Sequence, residues 1–157
     1  KKVENAQVHF LFIGDGAEKP KLLAMKEEIG LENVTMLPFV TKKEVKNYIS
    51  TTDIALVPLK KSDTFKTVIP SKIFENAAMQ KPILLGVEGE SKAIIEKYDA
   101  GLCFEPENEA EFLTQLEYLA SDPGLYKSKQ EGCQKLAKDF DRSKLAMKLL
   151  DTLIQIH

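Results

Sequence analysis

The chain has 157 residues, of which 43% are hydrophobic and 29% are charged, and this composition is typical of a globular protein rather than a disordered segment. Its 22 basic and 24 acidic residues give a net charge of −2, which argues against nucleic-acid binding through overall charge. No apolar run approaches the roughly 18 residues of a membrane span. Cys103 and Cys133 show no CxxC spacing and no adjacent histidine cluster, so we expect buried or half-buried free thiols and no metal site.

Short apolar runs alternate with helical patterns along the chain. Nearly continuous apolar runs predict strands that are buried on both faces, at residues 8–13, 34–40, 54–58, 82–87 and 101–104. Apolar residues at helical spacing predict helices at residues 21–29, from 41, from 71, at 91–98, 110–120, 126–140 and 143–156. Three end signals support these bounds: Gly30 as a helix stop, Thr41-x-x-Glu44 as a capping box, and a turn at Asp122-Pro123-Gly124.

This alternation predicts an α/β fold, a Rossmann-like parallel sheet flanked by helices with right-handed crossovers. We expect one domain over residues 1–157. Because Lys1 and Lys2 stand where a methionine would begin a chain, we also expect a piece of a longer protein. The last helices, residues 124–157, are expected to cover the sheet or to reach toward a partner domain.

Ligands of an open parallel sheet bind at the carboxyl ends of its strands, and the first candidate there is Gly14-Asp15-Gly16. Two glycines allow a sharp turn and a close backbone approach to a phosphate. A full dinucleotide fingerprint would require a glycine where Lys19 stands and an acidic residue after the second strand, so NAD binding is disfavoured. A tight strand-to-helix turn and a ligand-facing loop both remain open.

Two neighbouring segments offer further candidates at that edge. The polar loop of residues 60–67 is either a solvated lobe or a mobile basic segment that closes over an anion. In the helix that follows, Ser71 is a candidate N-cap, and free amides at such an end bind phosphate. Lys72 opposes the helix dipole there unless an anion completes the site. Ser71, Lys72 and Glu75 share one side of the helix, so a nucleotide site and a surface Lys72–Glu75 ion pair both remain open.

Six segments of the chain, taken in order, resemble the C-terminal domain of GT-B glycosyltransferases: residues 12–16, 53–58, 70–83, 89–90, 101–102 and 105–107. The resemblance covers nearly the whole chain and is strongest to family 4, the retaining group that uses nucleotide sugars. Pro70-Ser71-Lys72-x-Phe74-Glu75 is similar to transferases that add N-acetylated amino sugars in bacterial surface-polysaccharide assembly, including fucosaminyltransferases. The resemblance therefore implies one half of a GT-B fold, the half that binds the donor nucleotide.

The resemblance also implies roles for individual residues. The family's glutamate in the helix after the phosphate loop holds the ribose hydroxyls, and Glu75 matches it. The amides of Ser71 and Lys72 would then face the donor diphosphate. Gly14 and Gly16 would line the cleft. Further candidates for contact with the diphosphate or the donor sugar are Lys66, Thr67 and Pro70.

Two departures from the family pattern limit what is implied. The family often has a second glutamate that contacts the donor sugar, and its place here is taken by Thr67. The family also has a Gly-Arg segment and a lysine before the strand that begins at Val8, and nothing in the printed sequence supplies them. We therefore expect much of the donor half-site here, no catalytic residue that can be assigned, and no activity of this piece alone.

The resemblance implies a UDP-linked sugar donor and an acceptor saccharide, free or lipid-linked, that is bound mainly by another domain. It implies no cofactor, no required metal and no nucleic acid, and a cytoplasmic protein, free or peripheral at the inner face of the membrane. Two alternatives remain open: a non-hydrolysing nucleotide-sugar epimerase and a non-catalytic receiver-like module. A receiver would need paired acids after the first strand and a lysine after the fifth, where this chain has Asp15 and Glu105.

Overall fold

Five strands and seven α-helices make up the structure, a computed structural model that describes residues 8–155, with the backbone alone at position 155. The strands are β1 (Phe10–Ile13), β2 (Val34–Leu37), β3 (Ala55–Pro58), β4 (Ile83–Gly86) and β5 (Gly101–Cys103). The helices are α1 (Lys19–Ile29), α2 (Lys42–Thr51), α3 (Lys72–Ala78), α4 (Glu90–Tyr98), α5 (Glu109–Ser121), α6 (Pro123–Asp139) and α7 (Arg142–Gln155). A short 3-10 helix, Asp63–Thr67, lies between β3 and α3. The predicted order of elements is confirmed.

All strand pairs of the described residues are parallel. Strand β1 pairs with β2, with Phe10 opposite Val34. Strand β4 lies between β3 and β5, with Ile83 opposite both Ala55 and Gly101. The predicted α/β class with parallel strands flanked by helices is therefore confirmed, and the ladders divide these strands into sheets of two and three.

The chain divides between Tyr48 and Ile49 into two compact units. The first contains β1, α1, β2 and most of α2, and the second contains the remaining elements. The predicted single domain over residues 1–157 stays a prediction.

In the first unit, local signals set the ends of the elements. The capping box is confirmed, since the Glu44 amide donates to Thr41 Oγ1 at 3.3 Å and the Thr41 amide donates to Glu44 Oε2 at 2.9 Å. Gly30 ends α1 in the left-handed region with φ 68°. Strand β2 ends at Leu37 rather than at Val40, because Pro38 has no N–H for the ladder.

The core of the second unit is built on β4, which is buried along its whole length. Burial on both faces explains why its sequence is continuously apolar. One cluster of buried side chains joins the strands to α3, α4 and α6: Ala55, Val57, Ile73, Ala77, Ile83, Leu85, Val87, Ile95, Ala100, Cys133 and Leu136. This core fixes α3, which carries the principal candidate site residues.

The segment at residues 122–124 differs from its prediction as a turn. It opens α6: the Leu125 amide donates to Asp122 Oδ1 at 2.9 Å and Pro123 is the first helical residue. Aspartate suits the N-cap and proline suits the first position, where an N–H would lack a helical partner anyway. The Asp-Pro pair therefore stops α5 and starts α6.

Helix α7 exposes large apolar side chains, 45–65% exposed: Leu145, Met147, Leu149, Leu150, Leu153 and Ile154. That the last helices cover the sheet or reach toward a partner domain stays a prediction, and position 156, predicted as helical, lies outside the described residues. None of the described helices combines the length and apolar composition that crossing a membrane requires.

Candidate functional site

Helix α3 begins without the predicted side-chain cap. Ser71 is the N-cap residue, but its hydroxyl makes no capping hydrogen bond. Its backbone is helical, with φ −57° and ψ −25°, whereas a capping side chain needs an extended N-cap. The turn is closed instead by main-chain bonds, from the Ile73 amide to the Pro70 carbonyl at 3.0 Å and from the Glu75 amide to the Ser71 carbonyl at 3.2 Å.

All three side chains that the sequence predicts on one side of this helix are exposed to solvent: Ser71, Lys72 and Glu75. Neither Lys72 nor Glu75 forms an ion pair with any residue in the described part of the chain, so the surface pair between them is not formed. A free carboxylate and a free ammonium thus stand within the first turn of α3.

The opposite side of α3 is packed. Ile73 and Ala77 are completely buried, and the Phe74 ring stacks on the Phe140 ring with centroids 4.8 Å apart. Ala78, the last residue of the helix, is exposed. Three buried or stacked side chains therefore hold the backbone that carries Glu75.

Two lysines of the loop before α3 form ion pairs. Lys66 Nζ lies 2.7 Å from Asp63 Oδ1 within the 3-10 helix. Lys61 Nζ lies 2.5 Å from Glu105 Oε1 in the loop after β5, and this hydrogen bond raises the pKa of Lys61. Thr67 Oγ1 turns back to the Thr64 carbonyl at 3.4 Å. Lys61 and Lys66 of this loop are thus already partnered, and whether the loop closes over an anion stays a prediction.

A hydrogen bond that the sequence does not predict joins this loop to the start of α4. Ser91 Oγ donates to the Val68 carbonyl at 2.7 Å. Gly89 has φ 72°, and a Cβ there would lie 2.1 Å from the carbonyl oxygen of Lys66. Lys66 lies 23 residues before Gly89 in the chain, so this contact could not be predicted from spacing.

In the first unit, Lys19 stabilises the turn formed by Gly14, Asp15 and Gly16. Lys19 Nζ donates to the Gly14 carbonyl at 2.9 Å, to Asp15 Oδ1 at 2.7 Å and to the Leu37 carbonyl at 3.1 Å. These contacts explain why a lysine replaces the third glycine of a dinucleotide fingerprint. The hydrogen bond from Lys19, with a second from the Phe39 amide, lowers the pKa of Asp15.

The two glycines themselves leave room for a ligand. Gly14 has φ 141°, where other residues are strained, and a Cβ on Gly14 or Gly16 would meet nothing within 4 Å. The turn is therefore present in the first unit, and the ligand-facing role of this loop stays a prediction.

The described residues contain no group of three or more histidine, cysteine or acidic side chains that could hold a metal ion. Cys133 is completely buried and Cys103 is partly buried, and both are free. The Cys133 thiol donates to the Ala100 carbonyl at 3.1 Å, so it belongs to the core as predicted.

The predicted site residues therefore fall into three groups. Ser71, Lys72 and Glu75 lie in the first turn of α3, and a loop leads into it through Lys66, Thr67 and Pro70. Gly14 and Gly16 belong to the first unit. The site assignments stay predictions, and no catalytic residue is assigned.

Solved glycosyltransferases share this fold. Anabaena Alr3699/HepE in complex with UDP-glucose matches with a TM-score of 0.79 and 19% identity, over 96% of this chain and 42% of that chain. Sucrose-phosphate synthase (tll1590) from Thermosynechococcus elongatus matches with a TM-score of 0.77 and 16% identity, over 93% of this chain and 38% of that chain. WaaG, a glycosyltransferase involved in lipopolysaccharide biosynthesis, matches with a TM-score of 0.71 and 16% identity, over 92% of this chain and 37% of that chain.

These structures identify the fold as that of GT-B glycosyltransferase domains, and they confirm the resemblance at that level. The chain spans about two fifths of the length of the structures it matches. No curated protein matches it at a significant level. Residues 1–122 match the family of glycosyl transferases group 1. Because this match covers well over half of the chain, the chain belongs to the glycosyl transferases group 1 family.

Proposed function

We propose that this chain is the donor-nucleotide domain of a retaining glycosyltransferase that uses a UDP-linked sugar. The observation that carries the proposal is the exposed carboxylate of Glu75, which stands on a packed helix and forms no ion pair with a described residue. Membership in the glycosyltransferase family supports it. Further support comes from HepE, a protein of the same fold that was solved in complex with UDP-glucose.

The Glu75 carboxylate suits the two ribose hydroxyls of a nucleotide. A carboxylate is an acceptor with two oxygens, so it can take one hydrogen bond from each neighbouring hydroxyl, and such charge-assisted bonds are stronger than neutral ones. Glu75 has no ion pair with a described residue that binding would have to break.

Among the predicted lysines, Lys72 is the better candidate for the diphosphate. Lys66 is held by Asp63 at 2.7 Å, and contact with a phosphate would require it to exchange that partner. Lys72 is exposed in the first turn of α3 and forms no ion pair within the described part of the chain. An anion near this turn would also offset the unfavourable interaction of Lys72 with the helix dipole.

The family resemblance extends this proposal to the identity of the donor sugar and of the acceptor. The donor sugar is an N-acetylated amino sugar, and the acceptor is a saccharide of bacterial surface-polysaccharide assembly, free or lipid-linked, bound mainly by the rest of the full-length protein. WaaG, which has the same fold, is involved in lipopolysaccharide biosynthesis. The enzyme works in the cytoplasm, free or at the inner face of the membrane, without a cofactor or metal, and this piece alone is inactive.

The test uses the full-length protein with UDP, GDP, an aspartyl-phosphate mimic and a panel of UDP-sugars. We expect UDP to bind more tightly than GDP, and transfer to keep the anomeric configuration of the donor, as read by NMR of the product. Interconversion of a UDP-sugar without an acceptor would instead identify an epimerase. Binding of the aspartyl-phosphate mimic without binding of UDP would identify a receiver-like module.

A further inference from the structure

We propose that Ser91 is a positioning residue of the nucleotide site, which holds the segment that leads into α3 and thereby sets the place of Glu75. This proposal rests on the proposed function. It arises from the hydrogen bond that Ser91 Oγ donates to the Val68 carbonyl at 2.7 Å.

The environment of Ser91 is unusual for a serine near the start of a helix. Its side chain is completely buried. Serine in a helix usually points to solvent or bonds to a carbonyl of its own helix, but Ser91 bonds to a carbonyl 23 residues away, outside α4. Because the hydroxyl is shielded from water, loss of this bond would leave a buried donor without its acceptor.

Two further contacts join the residues just before α4 to the loop that leads into α3. Gly89 lies so close to Lys66 that a Cβ would stand 2.1 Å from the Lys66 carbonyl oxygen. Lys66 Nζ is also 4.0 Å from Glu88 Oε2. Glu88 and Gly89 therefore lie against Lys66 while Ser91, at the start of α4, bonds to Val68, and of these three contacts the one from Ser91 is a hydrogen bond with a buried donor.

Few residues separate the Ser91–Val68 hydrogen bond from the first turn of α3. Only Ile69 and Pro70 separate Val68 from Ser71, and the Ser71 carbonyl accepts the amides of Phe74 and Glu75 at 3.1 and 3.2 Å. Proline also fixes one backbone dihedral of this connection. A shift of the Val68 carbonyl would therefore move the first turn of α3, and a small misplacement of a binding group weakens its contacts strongly.

The experiment measures UDP affinity of the full-length protein with Ser91→Ala. The matched control is Tyr126→Phe, because Tyr126 likewise donates one hydroxyl hydrogen bond to a main-chain carbonyl, that of Asp53 at 3.0 Å. We expect Ser91→Ala to weaken UDP binding roughly five- to tenfold, and Tyr126→Phe to leave it unchanged. In a Glu75→Gln background the same change at Ser91 should weaken UDP binding less than about twofold, because the effects of mutations at coupled residues are not additive.

Unchanged affinity of Ser91→Ala, an equal loss in both backgrounds, or an equal loss in Tyr126→Phe would each overturn the proposal. Hydrogen exchange tests the positioning separately from the ligand: Ser91→Ala should speed exchange of the Phe74 and Glu75 amides, and Tyr126→Phe should not. If Ser91→Ala fails to fold, Ser91→Cys keeps the side-chain shape in a slightly larger form and provides a weaker donor. Faster exchange without any UDP binding by the wild type would refute the proposed function while keeping the anchor.

Discussion

The Phe74 ring stacks on the Phe140 ring, with centroids 4.8 Å apart and an angle of 29° between the planes. Phe74 directly precedes Glu75, and Phe140 directly follows the last residue of α6. Tyr98, at the end of α4, meets the same Phe140 ring edge-on at 6.0 Å. Helix α3, which carries the candidate ribose-binding residue Glu75, is thus packed through one aromatic cluster against the ends of α4 and α6.

Replacing Phe140 by alanine should destabilise the second unit. The change removes a half-buried ring together with both aromatic contacts, so we expect the free energy of unfolding to fall by about 2 kcal/mol. Urea unfolding followed by circular dichroism measures it. Phe140→Leu, which keeps much of the buried area, should lose less than half as much, and equal stability of all three proteins would contradict the structural role of the cluster.

The fold was largely predictable because its signals are local. Strand β4 is continuously apolar because both of its faces are buried, and Thr41 and Glu44 form the capping box that their spacing predicts. The errors also have local causes. The sequence predicts a turn at Asp122 and Pro123, but an aspartate before a proline is equally a helix start.

The candidate site was predictable in its residues but not in its contacts. The first turn of α3 exposes Lys72 and Glu75 as their spacing predicts. The partners of Lys61 and Ser91 lie 44 and 23 residues away, and no periodicity connects residues across such separations. The three-dimensional contacts are therefore needed to show that Lys61 has an acidic partner and that Glu75 has none among the described residues.

Replacing the N-cap Asp122 by alanine should also lower stability. The Leu125 amide would lose its acceptor at 2.9 Å, and loss of such a cap costs about 1 kcal/mol. Asp122→Asn keeps an acceptor oxygen and should lose only a few tenths of that amount. Thermal unfolding of the three proteins decides the matter, and an alanine variant as stable as the wild type would exclude a capping role.

The two thiols should be unreactive in the native protein. Burial raises the pKa of Cys133 to about 12, and burial with the nearby charge of Glu96 raises the pKa of Cys103 to about 11. The thiolate is the reactive form, so we expect a disulfide reagent such as DTNB to label native protein slowly at pH 8 and unfolded protein rapidly. Fast labelling of both thiols without denaturant would contradict this.

The same shifts predict the direction of the alkaline stability change. Above the ordinary thiol pKa of 9.0, the unfolded chain releases protons that the folded chain keeps, so stability should fall as the pH rises from 9 toward the folded pKa values. Urea unfolding from pH 8 to 11 measures the fall. In Cys133→Ala the fall should be smaller, and an unchanged slope would show that Cys133 does not contribute to it.

Removal of metal should have no effect on stability. The described residues hold no cluster of metal-ligating side chains, and a structural metal would contribute folding free energy that a chelator removes. We expect the same melting temperature before and after extensive EDTA treatment. A decrease of several degrees, restored by adding back a divalent ion, would contradict the proposal that no metal is needed.

The role of Glu75 is tested most directly by calorimetry of UDP binding to the full-length protein and to two variants. Glu75→Gln keeps the shape but loses charge-assisted hydrogen bonds worth roughly 1.5–3 kcal/mol, so UDP affinity should fall about ten- to hundredfold. The matched control is Glu117→Gln, which changes an exposed glutamate of α5 that forms no ion pair with a described residue, and it should bind UDP like the wild type. Equal affinity of the wild type and Glu75→Gln would contradict ribose binding by Glu75.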